Sequence, residues 1–240
     1  MSRPDLAVVL AGAGEGTRLG NGGPKLLFEI AGATPLERVG AVFLAHSAVG
    51  EIVLVAPDRL LDAARARLAA LPNPRGIALT VVGGGATRRE SVAAGLRALT
   101  APLPYVAVHD VARLLVTGAL VTRVLEAARA SGAAIPALPI KDTVKEVEAG
   151  RIVRTLPRGR LHAAQTPQIF TRDILARAHE RASRTGAEPT DDASMVEAIG
   201  VPVTVVPGDP SNLKLTEPAD VIVLQRLWES LVHTRSETEF

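Results

Sequence analysis

The chain has 240 residues, of which 47% are hydrophobic and 22% charged, and it contains no cysteine. At about 150 residues per domain this length favours one or two domains, and the composition excludes a disordered or collagen-like chain. The lack of cysteine excludes disulfides, thiolate metal ligands and a cysteine nucleophile. Aromatic residues make up only 2% of the chain, which disfavours a base-stacking surface for single-stranded nucleic acid.

The charge pattern indicates neither a nucleic-acid partner nor a membrane partner. The formal net charge is +2, and like charges never form the run of about five or six that is typical of a nucleic-acid tail or a polybasic anchor. Glycine, proline or a charge interrupts each apolar run well before the roughly 20 residues that a membrane span needs. The first residues lack the pattern of a signal peptide. We therefore expect a cytoplasmic protein.

Apolar runs of strand length alternate with amphipathic segments. In chain order the sequence predicts a strand at Leu6–Ala11, a helix capped by Thr34, a strand at Glu51–Ala56, a helix from Asp58 to Ala70, a strand at Ile77–Val82, a helix at Ser91–Leu99 capped by Thr87, a strand at Tyr105–His109, a helix from Thr117 to Ala130, strands at Ala133–Leu138 and Val201–Val206, and a helix from Thr216 to about Leu231. Continuous apolar strands between helices predict an α/β fold with a single doubly wound, mainly parallel sheet. With neither an internal repeat nor a linker, residues 1–240 are predicted to form one domain.

Residues 139–161 depart from this alternation. Asp142–Val147 and Arg151–Leu156 flank a turn at Ala149-Gly150, and both segments mix β-branched with charged residues. This pattern predicts a protruding β-hairpin arm that is exposed on both faces. Because a two-stranded ribbon is only marginally stable alone, we expect the arm to pack on a second subunit in a homodimer. A plain surface excursion is the alternative.

A glycine-rich loop follows the first strand directly, with the sequence Gly12-Ala13-Gly14-Glu15-Gly16-Thr17-Arg18-Leu19-Gly20. Such a loop lets backbone N–H groups approach phosphate oxygens. A dinucleotide-binding loop would need glycine in place of Thr17, and a Walker loop would need Gly-Lys-Ser/Thr, whereas the first lysine occurs in Pro24-Lys25-Leu26. The sequence fits neither of these nucleotide loops.

Arg18 and Lys25 are the candidate catalytic residues of this segment. Two cations beside backbone donors suit a triphosphate attacked at its α-phosphorus, because negative charge develops there on the equatorial oxygens and on the leaving pyrophosphate. A flexible turn with two solvated bases is the alternative. Lysine is rare in this chain, since only four of the 27 basic residues are lysine: Lys25, Lys141, Lys145 and Lys214. A retained lysine is therefore a modest hint of function.

Six further motifs follow in order: Gly83–Val92, Val108–Arg113, Lys141–Lys145, Thr166–Gln168, Thr190–Ser194 and Asn212–Thr216. Together with the first loop they resemble the 2-C-methyl-D-erythritol 4-phosphate cytidylyltransferase family of the isoprenoid pathway, over residues 5 to 230. The resemblance implies a Rossmann-like nucleotidyltransferase fold, CTP and a polyol phosphate as substrates, and Mg²⁺ as cofactor. Ribitol 5-phosphate as acceptor, or a non-catalytic nucleotide-binding role, are the alternatives.

The resemblance also implies roles for individual residues. It gives substrate contacts to the first loop and to the motif expected to bind cytidine, namely Ala11, Gly12, Ala13, Gly14, Gly84, Gly85 and Ser91. Asp110 follows a strand at the edge where ligands bind in open α/β sheets, and one carboxylate with triphosphate oxygens and waters is a normal shell for Mg²⁺. The resemblance assigns Asp110 to that metal and, with Arg113, to the substrates. An Asp110–Arg113 ion pair is the alternative.

On the acceptor side, the resemblance implies that the arm brings Thr143 and Arg158 to the substrate phosphate of the neighbouring subunit. Arg154 and Arg160 are alternatives to Arg158 in register. Lys214, in a segment predicted to be strand-like, is implied to bind the phosphate of the acceptor. Thr190 and Asp191 are possible substrate contacts or helix caps.

Overall fold

The computed structural model describes residues 3–14, 24–186 and 188–237, with side chains up to residue 231. The strands are β1 (Leu6–Ala11), β2 (Val49–Ala56), β3 (Ala78–Gly83), β4 (Tyr105–Asp110), β5 (Ala133–Pro139), β6 (Lys145–Glu148), β7 (Arg151–Thr155), β8 (His162–Ala164), β9 (Gln168–Thr171) and β10 (Thr204–Pro207). The α-helices are α1 (Pro35–Ala45), α2 (Leu61–Ala69), α3 (Arg88–Ala98), α4 (Gly118–Ser131), α5 (Arg172–Thr185), α6 (Asp192–Ala198) and α7 (Pro218–Glu237).

The main sheet has the strand order β10-β5-β9-β4-β1-β2-β3, and β8 pairs with β5. The pairs β1–β2, β1–β4, β2–β3 and β5–β10 are parallel, whereas β9 is antiparallel to both β4 and β5. The predicted α/β fold with a mainly parallel sheet is confirmed. The antiparallel strand at its centre was not predicted.

Helices cover both faces of the sheet. Leu6, Val8 and Leu10 of β1 face a core formed with α1, α2 and α4. The alternate residues Ala7 and Val9 face a second core formed with α3, α5 and α6. This two-sided burial explains why the parallel strands are continuously apolar in sequence. A third apolar cluster joins α7 to the segment before α1 and to the residues after β4.

Several elements differ from the sequence predictions. No element was predicted between residues 161 and 201, where the structure has β8, β9, α5 and α6. A 3₁₀ turn at Asp58–Leu60 precedes α2, which begins at Leu61. Lys214 lies in a segment without regular secondary structure, so the strand-like assignment was wrong. Within the described ranges, no helix is long and apolar enough to cross a membrane.

The hairpin predicted in residues 139–161 is present as β6 and β7, which pair antiparallel with one another in a separate two-stranded sheet. Ala149 and Gly150 form the turn with φ angles of 48° and 76°. Every residue of the two strands is exposed. In this single chain the arm therefore offers both of its faces to solvent or to a partner.

Gly95 allows α3 to pack closely on the sheet behind the glycine-rich loops. A Cβ at this position would lie 2.5 Å from Cγ1 of Val9 and 2.9 Å from Cγ2 of Val55. We expect Gly95→Leu to lower the free energy of unfolding by about 3 kcal/mol, because overpacking moves the helix or strains side chains. Urea denaturation measures the change. Arg97→Leu, at an exposed position of the same helix, is the control, and an equal loss in both variants would contradict the explanation.

Candidate active site

A cleft of about 610 Å³ opens at the carboxyl ends of β1 and β4. Its walls are Ala11, Gly12, Ala13, Gly14, Lys25, Leu26, Gly85, Ala86, Thr87, Arg88, Ser91, Asp110, Val111, Ala112 and Lys214. The cleft therefore brings together residues of four of the seven sequence motifs. Backbone hydrogen bonds from Gly12 N to Val55 O and from Gly84 N to Ala56 O tie both glycine loops to β2.

The glycines of these loops are required by packing between the loops. A Cβ on Gly12 would lie 2.9 Å from Cδ1 of Leu26 and 3.0 Å from the carbonyl oxygen of Val55. A Cβ on Gly84 would lie 2.4 Å from Cβ of Ala13. Larger residues at these positions would push the two loops apart. Gly84 is not a wall of the cleft itself, but it packs against Ala13, which is one.

Ser91 holds the second loop closed at the start of α3. Its Oγ accepts a hydrogen bond from Gly85 N at 3.1 Å, and its side chain is buried. Thr87 caps the helix by accepting a hydrogen bond from the backbone N–H of Glu90, and the Glu90 carboxylate accepts one from the backbone N–H of Thr87. The predicted capping box therefore also fixes the loop that lines the cleft.

Lys25 lies in a 3₁₀ turn at the mouth of the cleft. Its Nζ donates hydrogen bonds to the carbonyl oxygens of Leu215 and Thr216, at 2.9 and 3.1 Å. These are the two residues that follow Lys214, so Lys25 contacts the segment that carries Lys214. Arg18, the other candidate catalytic residue, lies outside the described residues.

Asp110 is held between two cations. Its Oδ1 accepts hydrogen bonds from Nε and Nη2 of Arg88 at 3.3 and 3.2 Å, and its Oδ2 accepts one from Nζ of Lys214 at 2.6 Å. Burial raises the pKa of Asp110, but the charges of Arg88 and Lys214 outweigh that effect and hold the pKa well below its usual range. The carboxylate is therefore ionised at any pH at which the protein would work.

Arg113 does not form the alternative ion pair with Asp110. Its guanidinium donates instead to the carbonyl oxygens of Asn212 at 2.8 Å and Ala164 at 3.2 Å. Burial lowers the pKa of Arg113. Arg113 therefore links the end of β4 to two later segments of the chain, with its charge directed toward a second cavity.

This second cavity, of about 210 Å³, adjoins the cleft and shares Arg88, Asp110 and Lys214 with it. Its other walls are Arg113, Ala164, Gln165, Thr166, Gln168, Thr190 and Asp191. Thr190 thus lines a polar cavity, while Asp191 caps α6 by accepting a hydrogen bond from Ser194 N. Arg88, Asp110 and Lys214 therefore form the boundary between the cleft and the smaller second cavity.

Arg88, Asp192 and His179 are site residues that sequence reasoning missed. Arg88 donates from Nη1 to Oδ2 of Asp192 at 2.7 Å, and Oδ1 of Asp192 lies 3.0 Å from Nε2 of His179. Arg88 stands in the quoted Gly83–Val92 motif, but its neighbour Arg89 has the same chemistry, and only the helix geometry distinguishes them. Asp192 lies on α6 and His179 on α5, and neither helix had been given bounds from the sequence.

Thr143 and Arg158 lie on or beside the arm, and both are exposed. Neither belongs to the walls of the two cavities described for this chain. Arg158 donates a hydrogen bond from Nη1 to the carbonyl oxygen of Lys141. A contact of these residues with substrate would therefore require a second subunit and stays a prediction.

His109 points away from the cleft into the apolar core. Its ring packs edge-on against Phe43 at a centroid distance of 5.4 Å. Nδ1 lies 3.0 Å from Oγ1 of Thr166, and Nε2 lies 3.3 Å from the carbonyl oxygen of Arg113. Burial lowers the pKa of His109 from 6.5 to about 4, so the ring is neutral in the folded protein.

This buried histidine makes stability depend on pH. As the pH falls from 6.5 to about 4, the unfolded chain gains a proton at His109 that the folded chain does not, so the folded state loses stability. The full effect is about 3 kcal/mol. Urea denaturation at several pH values should show a shallower loss for His109→Gln than for the wild type over this window. Identical slopes would contradict the explanation.

The described residues include no group of three or more His, Cys, Asp or Glu side chains that could hold a metal ion. Asp110 is the carboxylate at the boundary of the two cavities, and each of its oxygens already accepts from a cation. Because an ionised carboxylate has about four lone-pair sites, it can still accept a hydrogen bond from a metal-bound water. This donor set fits Mg²⁺, which keeps several waters and takes most other ligands from substrate phosphates.

Comparisons with known proteins agree with the motifs. The family described as 2-C-methyl-D-erythritol 4-phosphate cytidylyltransferase (IspD) matches residues 6–229. A curated 2-C-methyl-D-erythritol 4-phosphate cytidylyltransferase of Thermus thermophilus is 40% identical over 232 residues, covering 94% of this chain and 100% of that protein. A bifunctional IspD/IspF enzyme of a Bradyrhizobium strain is 42% identical over 219 residues, covering 90% of this chain. The chain spans about half of that bifunctional relative, with 54% covered.

Solved structures show the same likeness. The crystal structure of the Thermus thermophilus cytidylyltransferase matches with a TM-score of 0.75 and 38% identity, over 92% of this chain and 97% of that one. The 4-diphosphocytidyl-2C-methyl-D-erythritol synthase of Anaerococcus prevotii matches with a TM-score of 0.83 and 26% identity, over 94% of this chain and 96% of that one. The resemblance drawn from the motifs is confirmed, and the chain belongs to the IspD family of 2-C-methyl-D-erythritol 4-phosphate cytidylyltransferases, nucleotidyltransferase enzymes of the isoprenoid pathway.

Proposed function

We propose that this chain transfers the cytidylyl group of CTP to the phosphate of 2-C-methyl-D-erythritol 4-phosphate, giving 4-diphosphocytidyl-2-C-methyl-D-erythritol and pyrophosphate. The observation that carries the proposal is the pair of adjoining cavities that share Arg88, Asp110 and Lys214. The larger cavity, between the glycine loops, suits a nucleoside triphosphate. The smaller polar cavity suits a short polyol phosphate whose phosphate faces the shared boundary.

The reaction is an in-line displacement at the α-phosphorus of CTP. An oxygen of the acceptor phosphate forms the new P–O bond while the bond to the bridging oxygen of the β-phosphate breaks, and pyrophosphate leaves. The attacking group is already an anion, so no general base is needed. This agrees with a cleft in which the buried His109 points away from the ligand side.

Positive charge supplies the transition-state stabilisation. We assign Lys25 and Arg18 to the phosphate oxygens of CTP, where negative charge increases during the displacement. We assign Lys214 to the acceptor phosphate, because it lines both cavities and its ammonium can form charge-assisted hydrogen bonds with phosphate oxygens. Lys25 must exchange its hydrogen bonds with Leu215 and Thr216 for bonds to the nucleotide, at least in part.

Enzymes of this family generally use a divalent cation, and we propose Mg²⁺ for this chain. When bound, such an ion neutralises part of the triphosphate charge and so favours attack by a second anion. Asp110 would hold it through a metal-bound water, with its carboxylate fixed by Arg88 and Lys214.

We further propose that residues 1–240 act as one domain whose arm joins two subunits in a homodimer. The arm exposes three β-branched side chains, since Val147, Ile152 and Val153 have relative exposures of 57, 62 and 55%. Contact with a second copy would cover them and would bring Thr143 and Arg158 toward the partner's acceptor. Ile152→Glu should shift the mass measured by analytical ultracentrifugation from dimer to monomer. A wild-type monomer, or an unaffected dimer in the variant, would contradict the proposal.

The function is tested by incubating the protein with CTP, Mg²⁺ and one acceptor at a time while pyrophosphate release is measured. We expect turnover with 2-C-methyl-D-erythritol 4-phosphate and little with ribitol 5-phosphate. Faster turnover with ribitol 5-phosphate would change the acceptor and keep the chemistry. Binding of CTP without pyrophosphate release from any acceptor would show a non-catalytic nucleotide-binding protein.

A further inference from the structure

The ion pairs at Asp110 continue into the protein as a chain of alternating charges. Arg88 uses Nε and Nη2 on Oδ1 of Asp110 and Nη1 on Oδ2 of Asp192. Asp192 is fully buried, and its Oδ1 lies 3.0 Å from Nε2 of His179, which is itself buried on α5. We call Arg88, Asp192 and His179 the brace of Asp110.

The two cations on Asp110 differ in their freedom to move. The Lys214 side chain is 45% exposed and belongs to a segment outside helices and strands. The Arg88 side chain is 26% exposed and bonds to two carboxylates. Lys214 can turn to a ligand phosphate, because one torsional change releases it from one oxygen. If Arg88 moved away, Oδ2 of the fully buried Asp192 would lose the cation that it accepts from, which is strongly unfavourable.

Asp192 is in turn fixed to the main sheet. The backbone N–H groups of Asp192 and Ala193 donate to Oε1 of Gln168, at 3.1 and 3.0 Å. Gln168 belongs to β9, which pairs with β4, the strand that ends at Asp110. Through the brace, Asp110 is therefore linked by hydrogen bonds to the neighbouring strand β9 as well as to α3, α5 and α6.

The ion pairs among Asp110, Arg88 and Asp192 are not needed for packing alone. Apolar residues of similar volume would stabilise the fold at least as well as two buried carboxylates and a guanidinium. We propose that Arg88 is a positioning residue which, held by Asp192 and His179, keeps the Asp110 carboxylate in place when Lys214 turns from Asp110 to the acceptor phosphate. The inference rests on the proposed function and deepens it. Asp192 and His179 act on the acceptor through Arg88 and Asp110, since neither lines the cleft or the smaller cavity.

The test separates acceptor binding from CTP binding. Asp192→Asn keeps the shape of the side chain and removes its charge, so we expect the KM for 2-C-methyl-D-erythritol 4-phosphate to rise about tenfold while the KM for CTP changes less than about twofold. Arg89→Lys is the control for general damage to this region, because Arg89 pairs with Glu90 and Glu188 at 3.6 Å, away from Asp110. Equal changes in both KM values, or wild-type values for both, would overturn the proposal.

If Asp192→Asn does not fold, two variants of His179 test whether the brace acts on acceptor binding. The amide of His179→Gln can still donate to Oδ1 of Asp192, whereas His179→Leu cannot. We expect near-normal acceptor KM in His179→Gln and a rise of about tenfold in His179→Leu. The same acceptor KM in both would overturn the brace. Failure of the proposed function is distinguishable, since the wild type would then release no pyrophosphate with this acceptor.

Discussion

Lys25→Ala should lower kcat by about 10²- to 10³-fold, which is the usual effect of removing one donor from a developing anionic centre. The lysine stands on a 3₁₀ turn beside the glycine loop, in a cleft that also contains Asp110 and Lys214. In the proposed mechanism, the alanine variant loses a cation that is assigned to the phosphate oxygens of CTP. Single-turnover pyrophosphate release at saturating CTP and acceptor measures the loss at the chemical step.

The fold should survive the change. The described bonds of the Lys25 ammonium go to two backbone carbonyls at the edge of the cleft, and neighbouring Leu26 supplies the buried anchor of the turn. The melting temperature of Lys25→Ala should therefore stay within a few degrees of the wild type. Arg65→Ala, which removes an exposed cation from α2, serves as the control and should retain full turnover. Near-normal kcat in Lys25→Ala would remove Lys25 from the mechanism.

Asp110→Asn should lower kcat/KM for the acceptor by about 10²-fold or more, because a misplacement of about 1 Å at a reacting group has effects of this size. The amide matches the carboxylate in shape but presents an N–H₂ group to either Arg88 or Lys214, both of which are donors. One of the two cations must then move. The affinity for CTP should change less, since the glycine loops provide much of the nucleotide cleft.

The stability of Asp110→Asn should fall only moderately, because Arg88 keeps its bond to Asp192 and the Lys214 ammonium is partly solvated. Thermal denaturation and steady-state kinetics on the same preparation separate the two effects. Asp173→Asn, which removes an exposed carboxylate from α5, is the matched control. A variant with unchanged acceptor kinetics would show that Asp110 is a structural residue.

The parallel part of the fold was predictable because its strands carry a strong local signal. β1, β2 and β4 are covered on both faces, so each reads as an uninterrupted apolar run. β9 has only four residues, and α5 has few apolar positions among many charges. The cap signals of α5 were nevertheless present, because Thr171 caps its start and Gly186 ends it with a φ of 66°.

The site was predictable where ligand-facing residues follow strands or glycine turns. Asp110 was identified from its place after a strand and Lys25 from its place after the glycine loop, whereas Lys214 was assigned from the family resemblance. The structure brings all three to one cleft. The brace was not identified, since it depends on a contact between residues 104 positions apart in sequence, Arg88 and Asp192. A local sequence pattern does not show that two segments will be in contact when they come together only after the sheet has formed.

The position of β9 also bears on how the chain folds during synthesis. Gln168–Thr171 fills the gap between β4 and β5, which were made some 30 to 60 residues earlier. Until the ribosome has released this stretch, β4 and β5 have no common neighbour, and two rows of backbone N–H and C=O groups remain open in the middle of the nascent sheet. A shortened chain that stops before residue 168 should accordingly aggregate rather than form a smaller folded unit, even though it contains both glycine loops.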